Sequence, residues 1–170
     1  MATSQSLLEQ IAAAQVTAKA LEDRISEALK LMDGSLGTDA QVKELRRATK
    51  ALELAAVDIF SIFEARMQHH FKRGPFSRKL KALLLEYKQP DLADRLHKYY
   101  LAVNVLKHGK GTSYRELLNS PNSLFDVKSP QAANSEEVEP PVSLVDVTAP
   151  GFFDGLTTTI VDAYHFLEEK

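Results

Sequence analysis

The sequence has no cysteine in its 170 residues. That absence excludes a disulfide framework, thiolate zinc sites and cysteine nucleophiles together, and it fits a reducing compartment. Long apolar runs are also missing. No segment approaches the roughly 18 consecutive apolar residues that mark a bilayer span, and the opening MATSQSLLEQ has neither a basic stretch nor an apolar core of signal-peptide length. The expectation is a soluble cytoplasmic chain with no membrane contact. An excess of one charge is lacking as well. With 21 Lys and Arg against 23 Asp and Glu, the net charge is −2, so nucleic-acid binding would need a local basic patch. No P-loop, Rossmann glycine pattern, serine-nucleophile elbow or zinc-hydrolase helix occurs, and no cofactor is expected.

What is present is an ordinary globular composition, 44% apolar and 26% charged, over a length that suits one domain spanning 1–170. Residues 4–32 read as an amphipathic helix. Leu7, Ile11, Ala14, Ala18, Leu21, Ile25, Ala28 and Met32 recur at spacings of three and four, with Ser4 or Ser6 as N-cap and the Asp33-Gly34 turn as stop. A second helix over 39–71 opens on a capping box of Thr38 and Gln41 and carries Val42, Leu45, Leu52, Ala56, Ile59, Phe63 and Met67. Between Leu54 and Phe63 it is apolar nearly all round, which predicts burial at the centre of the core or in a dimer interface. Asp58 there is either at a surface window or buried with a partner. A helix over 77–88 points Leu80, Leu83, Leu84 and Tyr87 inward. Pro90 then starts a fourth helix, which buries Leu92, Leu96, Tyr99, Val103 and Leu106 and ends at His108 before Gly109 and Gly111.

From 120 to 149 the character changes. Two nearly identical β-prone segments, SLFDV at 123–127 and SLVDV at 143–147, flank an acidic, Pro-containing loop at 128–141, and this predicts a two-stranded β-hairpin insertion packed on the helices. A last helix over 150–168 presents Phe153, Leu156, Ile160, Tyr164 and Leu167 on one face. The predicted fold class is mainly α, an antiparallel helical bundle with a small β-hairpin before the C-terminal helix.

The fourth helix carries the polar cluster of most chemical interest. At about 100° per residue, His97, Asn104 and His108 share one stripe. His97 and His108 are roughly 16 Å apart along the axis, far beyond what one metal ion can bridge, so no metal site is expected there. Asn104 and His108 are one turn apart, where an amide could fix the tautomer of a general acid/base histidine. Lys107, Lys110 and Arg115 add positive charge beside a Gly-Lys-Gly turn whose amides could approach a phosphate. On chemistry alone these residues fit a boundary histidine at a helix end followed by a glycine stop better than they fit a phosphate-handling site.

The run LAVNVLKHGKG at 101–111, late in an all-helical chain, resembles the signature region of the HEPN superfamily. Those domains are small helical bundles, many of them metal-independent ribonucleases of toxin–antitoxin, abortive-infection and other defence systems. Their motif is an arginine followed by a polar residue and, a few residues on, a histidine. Asn104 stands at the polar position and His108 at the histidine, and the second helix with Phe63-Glu64 in its apolar centre also looks like the family's. The resemblance implies a homodimer whose two motif helices form one cleft, with His108 as general acid/base, Asn104 orienting it, and Lys107, Lys110 and Arg115 holding RNA phosphate. It also implies a protein partner of the antitoxin kind. The motif arginine is replaced by Val103, which can neither carry charge nor donate a hydrogen bond. Two readings follow, an RNA-linked role that extends to weak metal-independent cleavage, and a non-catalytic dimeric interaction domain.

Beside Glu64, Arg66, His69 and His70, followed by Lys72, Arg73, Arg78, Lys79 and Lys81, form a further basic run. It is either a solvated patch or a surface for a nucleic-acid backbone. Adjacent histidines on an α-helix point about 100° apart, which would keep His69 and His70 from acting as a pair.

Overall fold

The computed structural model of the protein describes residues 6–34, 36–129, 144–149 and 151–169. Among these, six α-helices form: α1 (Leu7–Met32), α2 (Asp39–Met67), α3 (Phe76–Glu86), α4 (Pro90–His108), α5 (Thr112–Asn119) and α6 (Phe152–Glu168), with a 3-10 turn at Gln68–His70 after α2.

The two long helices start where side chains satisfy their free amide groups. Ser6 and Glu9 form a capping box on α1, each of its two bonds 3.1 Å long. Thr38 and Gln41 form the expected one on α2. A short loop folds α1 and α2 into an antiparallel pair, closed near its tip by Arg24 Nε donating to Glu44 Oε1 at 2.9 Å. The apolar stripe of α1 is buried at Leu7, Ile11, Ala18, Leu21, Ile25 and Ala28, while Ala14 and Met32 sit at its margin. The centre of α2 is buried through Ile59, Phe60 and Phe63, but Leu54 is exposed, and Asp58 occupies a surface window.

Helix α4 is the hub. It touches α2, α3, α5 and α6, and its residues Leu101, Ala102, Val103 and Val105 are all buried, so little of this stretch is left for solvent. Phe60 of α2 lies against Tyr100 of α4 (ring centroids 6.4 Å), and Glu64 feels the charge of Lys107. The two helices therefore run in the same direction and end on the same side. Gly155 of α6 crosses α4 at Tyr99, so closely that a Cβ there would fall 2.2 Å from the phenol oxygen. Arg95 of α4 reaches Thr159 (3.2 Å) and Asp162 (3.1 Å) of α6.

Several sequence expectations need correction. Helix α2 stops at Met67 rather than 71. The 3-10 turn that follows brings the rings of His69 and His70 to 4.2 Å, so the α-helical argument for their divergence does not hold. Helix α3 ends at Glu86, and Tyr87 is exposed, its ring against Phe166 at 5.8 Å. The predicted β-hairpin is not found among the described residues. Its two arms meet in a single antiparallel bridge, Val127 with Val145, made by Lys128 N to Leu144 O (2.8 Å) and Asp146 N to Asp126 O (3.1 Å). The physical reason lies in competing local bonds and in burial. Asp146 Oδ1 accepts from Thr148 N at 2.9 Å and turns the chain, as Asn122 does at Leu124. Meanwhile Phe125, Val145 and Val147 are driven into the helical core. Phe125 closes an aromatic triangle with Tyr99 of α4 (5.5 Å) and Phe152 of α6 (5.5 Å). The greater part of the acidic loop, 130–143, lies outside the described residues.

Candidate functional site

Helix α4 ends at Gly109, whose φ of 74° is the left-handed conformation that glycine adopts without strain and whose N–H closes on Val105 O at 2.8 Å. Three residues later α5 begins, a short helix with no forecast in the sequence. It folds back on the polar stripe of α4. His97 Nε2 lies 2.9 Å from Glu116 Oε2, and Asn104 Nδ2 donates to Ser113 Oγ at 3.3 Å. Tyr114 donates to the carbonyl of Lys128 and, with Leu117, is buried. The stripe that drew attention in the sequence is therefore largely the docking line for α5, since His97 and Asn104 are occupied by it and His97 also stacks on Tyr100 (6.2 Å).

His108 is the member of the stripe left over. It is exposed, and among the described residues no side-chain hydrogen bond or ion pair reaches it. Asn104 lies one turn away but directs its amide to Ser113, so the two are neighbours on the helix without being bonded to each other. Val103, where the resemblance calls for arginine, is 1% exposed in the core. An arginine placed there would have to bury its charge, which accounts for valine at this position in this packing.

Lys107 and Arg115 are exposed, as is Lys110 in the turn between α4 and α5. Opposite Lys107 stands Glu64. Burial pushes its carboxyl up from the ordinary value, while the Lys107 ammonium, and to a smaller extent the Ser77 hydroxyl, pull it back. Ser77 Oγ is itself buried, and no hydrogen bond of normal geometry reaches it, so its relation to Glu64 is a near approach rather than a formed bond. Glu64, Ser77 and Lys107 thus bring the ends of α2, the start of α3 and the end of α4 to one side of the bundle. Glu64 was legible as a polar residue in an apolar stretch. Ser77 and Ser113 carried no signal, because an isolated serine near a helix start looks like any cap.

Among the described residues no group of three or more His, Asp or Glu side chains is placed to hold a metal ion, and no helix is long and apolar enough to cross a membrane. No protein-family model matches the chain, no curated protein matches its sequence, and no solved structure matches its fold.

Proposed function

We propose that the chain is a HEPN-like helical domain with an RNA-linked role, of the kind carried by defence or toxin–antitoxin systems, acting through the end of the bundle where α4 stops. The observation that carries this reading is the exposed His108, which no side-chain bond reaches among the described residues, next in sequence to the exposed Lys107 and Lys110 at a glycine turn, with the exposed Arg115 on the helix that follows. In its catalytic form, neutral His108 takes the proton of a ribose 2′-hydroxyl as that oxygen attacks the adjacent phosphorus. The bond to the 5′ oxygen breaks, and that oxygen leaves as a hydroxyl with a proton from water, giving a 2′,3′-cyclic phosphate end. Lys107, Lys110 and Arg115 offset the charge gathering on the phosphate. A second copy of the chain, or an antitoxin-like protein, is the partner this reading implies.

A specific observation favours the second reading, a non-catalytic dimeric interaction domain. Val103 is in the core and Asn104 is spent on Ser113, so the charge-assisted phosphate contact and the orienting amide that catalysis would use are both absent at their motif positions. The experiment that separates the two is cleavage of end-labelled RNA with and without EDTA, by wild type and His108→Ala. Chelator-resistant cleavage lost in the variant supports catalysis at His108. Absence of cleavage by folded wild type moves the assignment to the interaction domain.

A further inference from the structure

The near-neutral total conceals a strongly uneven distribution of charge. Between positions 65 and 85 the chain has six cations (Arg66, Lys72, Arg73, Arg78, Lys79 and Lys81) and no Asp or Glu. Elsewhere several cations are matched with carboxylates: Arg24 with Glu44, Lys50 with Glu53 (3.9 Å), Arg95 with Asp162 (3.1 Å) and Lys98 with Asp94 (2.7 Å). Lys72, Arg73, Arg78 and Lys79 are exposed, and among the described residues none of the four has a carboxylate within ion-pair distance. Unpaired like charges held together repel one another, and a polyanion relieves that repulsion.

The run is also firmly placed. Phe71 packs edge-on against Phe76 (5.6 Å), which packs edge-on against Phe63 of α2 (5.3 Å), so Lys72 and Arg73 extend from a segment anchored in the core. Ser77, next to Arg78, is near Glu64 and so on the side of the bundle where Lys107 and His108 stand. The patch occupies one loop and the first turns of one helix. That is too short to cover the two successive minor grooves that duplex-shape readers span, but it is suited to a few phosphates of an unpaired strand.

We propose that Lys72, Arg73, Arg78 and Lys79 form a phosphate-backbone track for single-stranded RNA that leads to the end of α4. The proposal rests on the RNA-linked reading above, and its test separates the two. Binding of a fluorescein-labelled oligo-uridine is followed by anisotropy from 50 to 300 mM KCl. The proteins compared are wild type, the triple variant Lys72→Ala/Arg73→Ala/Arg78→Ala, and a control triple Lys19→Ala/Lys30→Ala/Lys43→Ala with the same change in net charge. Far-ultraviolet circular dichroism checks that each is folded. Each phosphate contact on a single strand contributes about 0.7 to the slope of log affinity on log salt, so the first triple should lower the slope by roughly 2 and weaken binding at least tenfold at low salt. The control triple should bind as wild type does. Wild-type binding unchanged in the first triple, or weakened equally in both triples, overturns the track and leaves the RNA-linked reading standing. No RNA binding by wild type at 50 mM KCl overturns both. So does binding of polyglutamate in place of RNA, which would make this the surface for an acidic protein.

Discussion

Of the glycines, Gly155 leaves the least room for a side chain, because α6 crosses α4 there against Tyr99. A methyl at Gly155 would meet the phenol oxygen at 2.2 Å and the ring carbon that bears it at 3.3 Å. Gly155→Ala should therefore cost about 1–3 kcal/mol through overpacking, measured by urea denaturation. Tyr99→Phe removes the offending oxygen, so the double variant should recover much of that loss. A double variant as unstable as the sum of the two single ones would contradict the account. Glu53 offers a second residue-scale test. It is buried on α2, and burial raises its carboxyl above the ordinary value, with Lys50 at 3.9 Å offsetting only part of the effect. A carboxyl that holds its proton more firmly when folded stabilises the protein below its unfolded pKa, and that contribution is lost as pH rises through the folded one. Glu53→Gln should accordingly be more stable than wild type at pH 7, with the gap closing toward pH 4.5. A gap equal at both pH values in urea titrations would contradict it. Neither feature is visible in the sequence, since Gly155 reads as a weak point in an amphipathic helix and Glu53 as a surface charge.

Among the elements, those with a local signature were legible. The Thr38–Gln41 capping box, Pro90 at the start of α4 and the glycine stop at 109 all depend on neighbours within a few residues, and each stands where the sequence placed it. Elements whose state depends on distant partners were not. Helix α5 has eight residues, too few for its periodicity to show, and it followed two glycines that read as a stop. Segments 123–127 and 143–147 have β-prone residues, but the aromatic triangle and the Asp146 turn outcompete a ladder. Of the stripe His97, Asn104 and His108, the first two bond to α5 and the third does not. What the stripe faces, α5, could not be inferred while α5 itself was unseen. This account expects Asn104→Ala to loosen α5. Amide exchange over 112–119 should speed up, at a cost of about 1 kcal/mol for the lost hydrogen bond. Unchanged exchange there, with altered exchange elsewhere, would assign Asn104 a different role.

At the scale of the whole molecule, residues of all six helices pack into one hydrophobic core. Helix α4 at its centre delivers its C-terminal end to the side where α2 ends and α3 begins. The exposed cations Lys72, Arg73, Arg78 and Lys79 extend on that side, while ion pairs join α1 to α2 and α4 to α6. A net charge of −2 gave no hint of this, because a sum over the chain carries no spatial information. The proposal that RNA meets the protein at this end is tested by photo-cross-linking the full chain to a short 4-thiouridine RNA and mapping the modified peptides. The account expects cross-links within 66–81 and 104–115, suppressed by raising the salt. Cross-links concentrated on the α1–α2 tip around 29–44, or none at any salt concentration, would contradict it.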